Sequence, residues 1–308
     1  MNTTPSNQSP SPPNAGDRYR QVKRVLWQVL GLNLLVAAAK IAVGLAIGSI
    51  SMMADGFHST MDASSDVLGL IGLALATRPP DEDHPYGHQK FETFATLGIG
   101  FLLLLAGWNV LTSAITRLME GGAPEVTVAS FAVMIVTITV NWLVTRYESR
   151  QGHRLNSAIL LADSAHTQSD IFVSLSVLVG LAAVKLGWLW VDAVVALIIV
   201  AVIGRTGWQI IRSASQVLAD SAVINPAEVE KIALSVEGIK SSHKIRSRGT
   251  NQTTYLDLHI QVDGGLDLKE AHRLGHIVQA RLKEELGVTD VVVHVEPAAF
   301  EWSDTFTE

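Results

Sequence analysis

Long apolar stretches dominate the first two thirds of the chain. Six runs stand out, at residues 25–48, 51–77, 91–117, 126–146, 157–186 and 188–213. Because about 20 apolar residues are needed to cross the hydrocarbon core of a bilayer, each run is long enough for one membrane-spanning helix. The pattern therefore predicts an α-helical membrane protein, with six transmembrane helices within residues 18–213.

The last third of the chain has the polar composition of a soluble domain. Its apolar periodicity predicts two helices and three strands, at Pro226–Val236, His243–Arg248, Thr254–Val262, Leu268–Leu286 and Asp290–Val295. The order α-β-β-α-β is typical of a small α+β sandwich with helices on one face of a sheet. We therefore expect a second domain over residues 214–300.

The positions of Lys and Arg predict the orientation of the chain in the membrane. Basic residues such as Arg18, Arg78 and Arg146 cluster before the first run and after the second and fourth runs. Because loops rich in Lys and Arg stay cytoplasmic, both termini and the second domain should be cytoplasmic. Residues 1–17, rich in Ser, Pro and Asn, are expected to be disordered, and residues 301–308 form a short C-terminal tail.

Composition narrows the chemistry that the chain can perform. The net charge of −6 offers no basic stripe for nucleic acid, so a nucleic-acid partner is not expected. The chain contains no cysteine, so any bound metal must be held by nitrogen and oxygen ligands. Lys40 lies inside the first apolar run and must either extend to the membrane surface or face the bundle interior.

A motif of ionisable residues occurs twice, once in the second and once in the fifth apolar run. Both copies read Ala-Asp-x-x-His-Ser/Thr-x-x-Asp. Helical spacing places His58 with Asp62 on one helix face, and His166 with Asp170 on another. If the two faces meet, two imidazoles and two carboxylates suit a tetrahedral cation such as Zn²⁺. The alternative is that these polar groups only bond neighbouring helices, but the repetition favours the metal site.

The charge of this four-ligand set predicts how transport is driven. With both histidines neutral the set carries two negative charges, which are costly at membrane depth. One divalent cation neutralises these charges, and so do two protons. Because metal ligands must be deprotonated to bind and His titrates near neutral pH, the residue types predict exchange of metal for protons.

Three further acidic residues accompany the motif. Asp55 and Asp163 are the leading acids of the two copies, and each is either a vestibule acid or a capping group near a helix end. Asp66 lies one turn after Asp62, while the matching position in the fifth run is Ser174. A proton relay and a structural hydrogen bond are both open for Asp66.

The loop after the second run is dense in possible metal ligands. It contains Asp81, His84 and His88 within eight residues. These side chains could bind a second cation at the cytoplasmic surface, or they could belong to a solvated acidic turn.

Together these features resemble the cation diffusion facilitators, membrane exporters of divalent metals, of the bacterial zinc and iron exporter type. The resemblance extends from about Arg24 to Pro297, and rests on the two His-x-x-x-Asp pairs, the Asp-His-Pro-Tyr-Gly-His segment of the loop and the tail domain. It implies a homodimer with six transmembrane helices per subunit and a cytoplasmic ferredoxin-like, metallochaperone-like domain. It also implies alternating access driven by proton influx, in the inner membrane of a bacterium.

The resemblance also implies roles for individual residues. The transport site matches His58, Asp62, His166 and Asp170, and the loop site matches Asp81, His84 and His88. Metal ligands of the tail domain fall at His243, His259, His272, His294 and Glu296. Lys90 and Asp220 match a charge interlock that holds the dimer together at the membrane surface.

One departure from the family bears on the transported metal. Well-studied bacterial zinc and iron exporters have Asp where this chain has His58, whereas His is the pattern of animal zinc transporters and many zinc or cobalt exporters. Manganese-type members usually replace a His with Asp or Asn. We therefore expect Zn²⁺ as the main substrate, with Fe²⁺, Cd²⁺, Co²⁺ and, less readily, Mn²⁺ as others.

Two other functions compete with transport. A metal-dependent intramembrane hydrolase would need a Glu base beside the metal, as in His-Glu-x-x-His, and an open coordination position. Neither copy of the motif has such a Glu, and four protein ligands close the site, so no enzyme is expected. A metal sensor that does not transport is the third possibility, which metal flux into vesicles would exclude.

Overall fold

The chain forms two compact units, residues 1–215 and residues 216–308. The computed structural model describes residues 15–47, 50–120, 128–185, 189–250 and 253–298. Of the two predicted tails, residues 1–14 and 301–308 lie outside this described part, whereas residues 15–17 form the start of the first helix.

The first unit is built from helices. In chain order they are α1 (Ala15–Ile47), α2 (Ile50–Asp62), α3 (Ser64–Ala76), α4 (Lys90–Glu120), α5 (Val128–Leu155), α6 (Ala158–Lys185) and α7 (Leu189–Leu218). Within the described residues, each of the six apolar runs is therefore helical, as predicted. The second run differs from the prediction because it forms two helices rather than one.

The break between α2 and α3 is at Ala63. Backbone hydrogen bonds still cross it, but they are long, at 3.4 Å from Ala63 N to Ser59 O and 3.3 Å from Val67 N to Ala63 O. The hydroxyl of Ser65 donates to the Asp62 carbonyl at 3.0 Å. Serine hydroxyls that bond the local backbone in this way compete with the helical ladder and often bend it. The break therefore places Asp62 on a different helix from the later residues of the same apolar run.

The helical unit exposes apolar side chains and buries polar ones. Trp27, Phe101 and Trp208 are 57%, 57% and 62% exposed, whereas Lys40 and His166 are each only 6% exposed. This distribution is the reverse of that in water-soluble proteins and suits a surface that faces lipid. Lys40 faces the interior, where its ammonium donates to Ser59 Oγ at 2.8 Å, which confirms one of the two predicted alternatives.

Three helical segments in the described residues are long and apolar enough to cross a membrane. They are Gly16–Ala46, Lys90–Thr116 and Val194–Leu218. Helices α2 and α3 have 13 residues each, which is too short for either of them to cross a bilayer by itself.

A buried ion pair joins three parts of the helical unit. Arg18 on α1 donates to both carboxylate oxygens of Glu92 on α4, at 2.8 and 3.1 Å. The same guanidinium donates to the carbonyls of Leu155 and Asn156, in the turn between α5 and α6. Because a guanidinium is planar and has several donors, one side chain can satisfy all of these acceptors at once.

The second unit has the predicted order of elements. These are α8 (Pro226–Leu234), β1 (Ser241–Gly249), β2 (Thr254–Val262), α9 (Leu268–Leu286) and β3 (Asp290–Pro297). The strands form one sheet in the order β1-β2-β3, with β1 antiparallel and β3 parallel to β2. The α-β-β-α-β prediction is therefore confirmed, with strand ends shifted by two residues or fewer.

Alternation along β2 separates the two faces of this sheet. Leu256, Leu258 and Ile260 are buried against the helices, where Val278 and Leu282 of α9 are also buried. Since successive side chains of a strand point to opposite faces, the residues between these three lie on the face away from the helices. His259 is one of them, and this placement makes it available for a site on the open face.

Substitution of glycine by alanine should have opposite effects on stability at two positions, because one glycine lies at the close contact between α3 and α4 and the other does not. A Cβ on Gly72 would lie 2.2 Å from Ala95 Cβ, whereas a Cβ on Gly31 would meet nothing within 4 Å. We expect Gly72→Ala to destabilise the bundle by about 1–3 kcal/mol through overpacking. Gly31→Ala should stabilise it by about 0.5–1 kcal/mol, because glycine is costly inside helices. Thermal unfolding in detergent measures both, and equal effects would contradict this packing.

Candidate metal centres

The repeated motif brings three of its four predicted ligands together. One ligand atom each of Asp62, His166 and Asp170 lie within 4.8 Å of one another. Asp62 is the last residue of α2, and the other two are one turn apart on α6. Helical spacing of four residues therefore sets up half of the cluster, and the packing of α6 against α3, which follows Asp62, brings the third ligand close.

A small cavity lies at this cluster. It measures about 30 Å³ and is lined by the three ligands together with Asn33, Val36, Ser59, Ser65, Thr137, Asn141 and Thr167. Cavities for organic ligands are roughly 300–1,000 Å³, so this one has room only for an ion or a few water molecules. Its lining includes amide and hydroxyl groups that the sequence did not single out, although each lies one or two turns from another polar residue.

The fourth predicted ligand, His58, lies on α2 one turn before Asp62. Its side chain is outside the described residues, and so is that of Asp55. Their roles stay predictions.

A second cluster of carboxylates lies beside the first. It consists of Asp66 on α3, Glu148 on α5 and Asp163 on α6, with one oxygen of each within 4.8 Å of the others. Asp163 is 1% exposed and lies within α6, and its role stays a prediction. Asp66 accepts a hydrogen bond from Asn33 Nδ2 at 2.8 Å. A structural hydrogen bond was one of the two alternatives for this residue, and the other, a proton relay, stays open.

Helical periodicity did not predict this second cluster, for two reasons. The break at Ala63 lies between Asp62 and Asp66, so these residues do not share the continuous helix face that a single helix would give them. Glu148 was not among the predicted site residues, because the apolar run was taken to end at residue 146, whereas α5 continues to Leu155. Its position among Arg146, Arg150 and Arg154 resembles an ordinary surface segment. Complete burial is the only sign of its role, and burial is set by the neighbouring helices.

The loop between α3 and α4 assembles all three of its predicted ligands. Asp81 contacts His84 Nδ1 at 3.1 Å and His88 Nε2 at 3.3 Å. His88 Nδ1 lies 3.1 Å from the Pro79 carbonyl, to which it can donate, and this leaves Nε2 with a lone pair that faces Asp81. Desolvation raises the pKa of Asp81, but hydrogen bonds from the backbone and side chain of His84 outweigh it, so the pKa lies below its usual range.

Strand register assembles the candidate site of the tail. His243 on β1 pairs with His259 on β2, and His259 pairs in turn with His294 on β3. Directly paired residues lie on the same face, so the three imidazoles form a row across the sheet. Glu296 lies two residues after His294 and shares this face.

The carboxylate of Glu296 is at the centre of this row. It lies 2.6 Å from His259 Nδ1, 3.1 Å from His243 Nε2 and 3.7 Å from His294 Nε2. Burial by itself raises the pKa of Glu296, but the hydrogen bond with His259 and the nearby His243 and His294 outweigh it, so the pKa is lowered. A carboxylate that stays ionised among imidazoles is a suitable arrangement for a cation such as Zn²⁺.

Three predicted residues of the tail and interlock are not in these clusters. His272 is on α9, where its Nε2 lies 3.0 Å from His276 Nε2, and so the structure does not bring it to the tail cluster. Lys90 is the first residue of α4, and Asp220 follows α7 with a φ of 53°. The interlock between Lys90 and Asp220 stays a prediction.

The lowered pKa of Glu296 predicts how the stability of the metal-free tail depends on pH. Its ionised form should stabilise the fold above the unfolded-state pKa of about 4.3, and this contribution should be lost as the pH falls through the lower folded-state pKa. Glu296→Gln should therefore cost about 1–2 kcal/mol at pH 7 and progressively less towards pH 3. Hydrogen exchange of the β3 amides in the full chain measures this difference.

The control for this experiment is Glu284→Gln, which removes an exposed carboxylate from α9 of the same unit. It should leave the exchange of β3 unchanged at every pH. A Glu296→Gln effect that is constant from pH 7 to pH 3 would mean that packing, and not charge, is lost.

The chain matches two domains of one known protein family. Residues 26–219 match the cation efflux transmembrane domain, and residues 224–298 match the cytoplasmic domain of cation efflux proteins. The first match alone covers more than half of the chain, and the two together cover both structural units.

Individual relatives span nearly the whole chain. An uncharacterized transporter of Methanocaldococcus jannaschii is 33% identical over 281 residues, covering 90% of this chain and 99% of the relative. The manganese efflux system protein MneS of Bacillus subtilis is 32% identical, covering 91% and 98%. The cation-efflux pump FieF of Shewanella oneidensis is 28% identical, covering 89% and 96%. The chain therefore belongs to the cation efflux family, the cation diffusion facilitators, and is a membrane transporter of metal cations rather than an enzyme.

Proposed function

We propose that the protein exports divalent cations, above all Zn²⁺, from the cytoplasm in exchange for protons. The transport site consists of His58, Asp62, His166 and Asp170. The observation that carries this proposal is the convergence of Asp62, His166 and Asp170 on one small buried cavity. Nitrogen and oxygen ligands in such a set suit Zn²⁺, and the size of the cavity excludes an organic substrate.

Charge balance supports coupling to protons. Two carboxylates and two neutral imidazoles carry two negative charges, and a low-dielectric environment disfavours both of them without a cation. When the metal leaves, two protons restore neutrality. His166 is suited to accept one of them, because a neutral imidazole can take up a proton and its Nδ1 is buried without a hydrogen-bond partner in the described residues.

Six membrane spans follow if α2 and α3 act as one broken span. Backbone hydrogen bonds continue across Ala63, so the two segments together replace one helix. Helices α5 and α6 have 28 residues each, which is about 42 Å and exceeds the roughly 30 Å hydrocarbon core. We propose a transport domain over residues 18–213 and a metal-binding cytoplasmic domain over residues 214–300.

Both termini are then cytoplasmic, in the inner membrane of a bacterium. In this orientation the loop cluster of Asp81, His84 and His88 faces the cytoplasm, where metal is taken up. Broken helices at membrane depth are common where transporters bind ions, which fits a break directly after Asp62 and alternating access around it.

We further propose a homodimer in which the tail senses metal. Binding to His243, His259, His294 and Glu296, with His272 contributing as the family resemblance implies, would link cytoplasmic metal level to transport. The charge interlock of Lys90 and Asp220 would hold the two subunits together at the membrane surface.

The choice between zinc and manganese depends on His58. MneS is named as a manganese efflux protein, so Mn²⁺ is the second candidate substrate, with Fe²⁺, Co²⁺ and Cd²⁺ after it. Imidazole favours Zn²⁺, whereas carboxylates favour harder cations such as Mn²⁺. Two histidines in one site therefore favour zinc.

Metal flux into inverted vesicles tests the proposed transport. Wild-type protein should take up Zn²⁺ when the vesicle interior is acidic, and should release protons from the interior as it does so. Asp170→Asn should abolish uptake, by about 100-fold or more, because it removes one charge and one ligand from the site. Zinc and pH indicators inside the vesicles measure both fluxes.

The matched control is Glu82→Gln, which removes an exposed carboxylate outside all of the clusters in the described residues. It should transport like the wild type. Zinc uptake that is indifferent to the pH gradient would contradict proton exchange, and no uptake of any divalent metal would favour a sensor.

Substitution of His58 tests the choice of metal. His58→Asp replaces a nitrogen ligand by an oxygen ligand, so Zn²⁺ uptake should fall about tenfold relative to Mn²⁺ uptake. Competition between the two metals in the same vesicles measures the ratio. His153→Asp makes the same chemical change at an exposed histidine of α5 outside all of the clusters in the described residues, and should leave the ratio unaltered.

A further inference from the structure

The second carboxylate cluster is completely enclosed by the helical unit. Asp66 and Glu148 are 0% exposed and Asp163 is 1% exposed. Among the described residues, four of their oxygens have no hydrogen-bond partner, namely Asp66 Oδ1, both carboxylate oxygens of Glu148 and Asp163 Oδ2. Buried polar atoms in native proteins almost always have a partner, so this concentration of unsatisfied oxygens needs an explanation.

The pattern of burial is specific to these acids. Arg18 is also buried in this unit and Glu92 is partly buried, but each satisfies the other at 2.8 Å. The oxygens of Glu148 have no such cation in the described part of the bundle, and Asp66 contacts the neutral amide of Asn33 and the carboxyl group of Asp163. Three carboxylates this close cannot all be ionised without a positive charge among them.

The arrangement suits a cation bound by oxygen. One oxygen from each residue lies within 4.8 Å of the others, and oxygens that share one metal ion at bonds of about 2.0–2.6 Å are themselves no more than about 5 Å apart. Carboxylate oxygens without nitrogen or sulfur ligands favour hard ions such as Mn²⁺, Mg²⁺ and Ca²⁺. This ligand set therefore differs in chemistry from the His-containing transport site.

The cluster is separate from the transport cavity but adjoins it. Asn33 lines that cavity and donates a hydrogen bond to Asp66, so one side chain touches both sites. Asp66 is one turn after Asp62, and Asp163 is about one turn before His166. Compared with the transport site, the second cluster therefore lies nearer to the end of α3 and to the start of α6. The proposed orientation places both of these helix ends on the cytoplasmic side.

We propose that Asp66, Glu148 and Asp163 form a second intramembrane cation site, which binds a hard divalent cation such as Mn²⁺ through oxygen ligands. Its position on the cytoplasmic route to the transport site rests on the proposed function, whereas cation binding itself does not. The site would receive a hard cation before the transport site does.

Mn²⁺ binding to the purified full chain in detergent tests this site. Electron paramagnetic resonance of free Mn²⁺ gives the number of ions bound per protomer. Glu148→Gln keeps the shape of the side chain and removes a ligand, so it should bind one Mn²⁺ fewer than the wild type. The double variant with Asp170→Asn should bind one fewer than Asp170→Asn alone, because the two sites are separate.

The control Glu284→Gln should bind as much Mn²⁺ as the wild type. Asp163→Asn provides a second way of removing the site if Glu148→Gln does not fold. Pulsed electron paramagnetic resonance of the wild-type protein gives a further test. The Mn²⁺ ion at the carboxylate site, which is the ion that the variants lack, should show no nitrogen coupling, because all three ligands are oxygens. Either unchanged Mn²⁺ binding in both variants, or nitrogen coupling on every tightly bound ion of the wild type, would overturn the proposal.

The same variants distinguish this proposal from the transport proposal. A protein that loses one Mn²⁺ on Glu148→Gln, yet shows no metal flux in vesicles, contradicts transport and leaves the second site standing. A protein that transports Zn²⁺ through Asp170 but binds no Mn²⁺ at the carboxylates contradicts only the second site.

Discussion

A charge that is buried among apolar helices needs a counter-charge or a proton, and the helical unit is organised around this requirement. Arg18 and Glu92 meet it within the protein, since each neutralises the other. The ammonium of Lys40 is solvated by the hydroxyl of Ser59. Such groups stabilise the bundle, because removing one partner would leave an uncompensated charge. The carboxylates near the cavity differ in that their neutralisation can come from an ion that enters and leaves.

The metal clusters arise from two kinds of regular structure. On α6, helical spacing places His166 and Asp170 one turn apart, and Asp62, at the end of α2, is the third ligand close to them. In the tail, strand register aligns three imidazoles, and the carboxylate of Glu296 lies among them. A helix at membrane depth can enclose an ion in a small cavity, whereas the sheet presents its ligands on an open face. This difference fits the transport site that we propose for the helical unit and the metal sensing that we propose for the tail.

Much of the fold followed from periodicity. The six apolar runs are helices, and the tail has the predicted α-β-β-α-β order, because each element has its own uninterrupted pattern of apolar residues. The break at Ala63 was not predictable, because neither Pro nor a pair of glycines marks it. Glu148 was missed because it lies past the apolar run among basic residues, and only the packing of its neighbours removes it from solvent.

The sequence by itself determined which residues can bind metal, because ligand chemistry depends on side-chain type and spacing of four residues is local to one helix. It also identified the family through two copies of one motif, a ligand-rich loop and a tail domain. Only the tertiary structure decided how the ligands are grouped. Asp62 joins His166 whereas Asp66 joins Asp163 and Glu148, since a short break in one helix and the approach of two others set distances between atoms that are far apart along the chain.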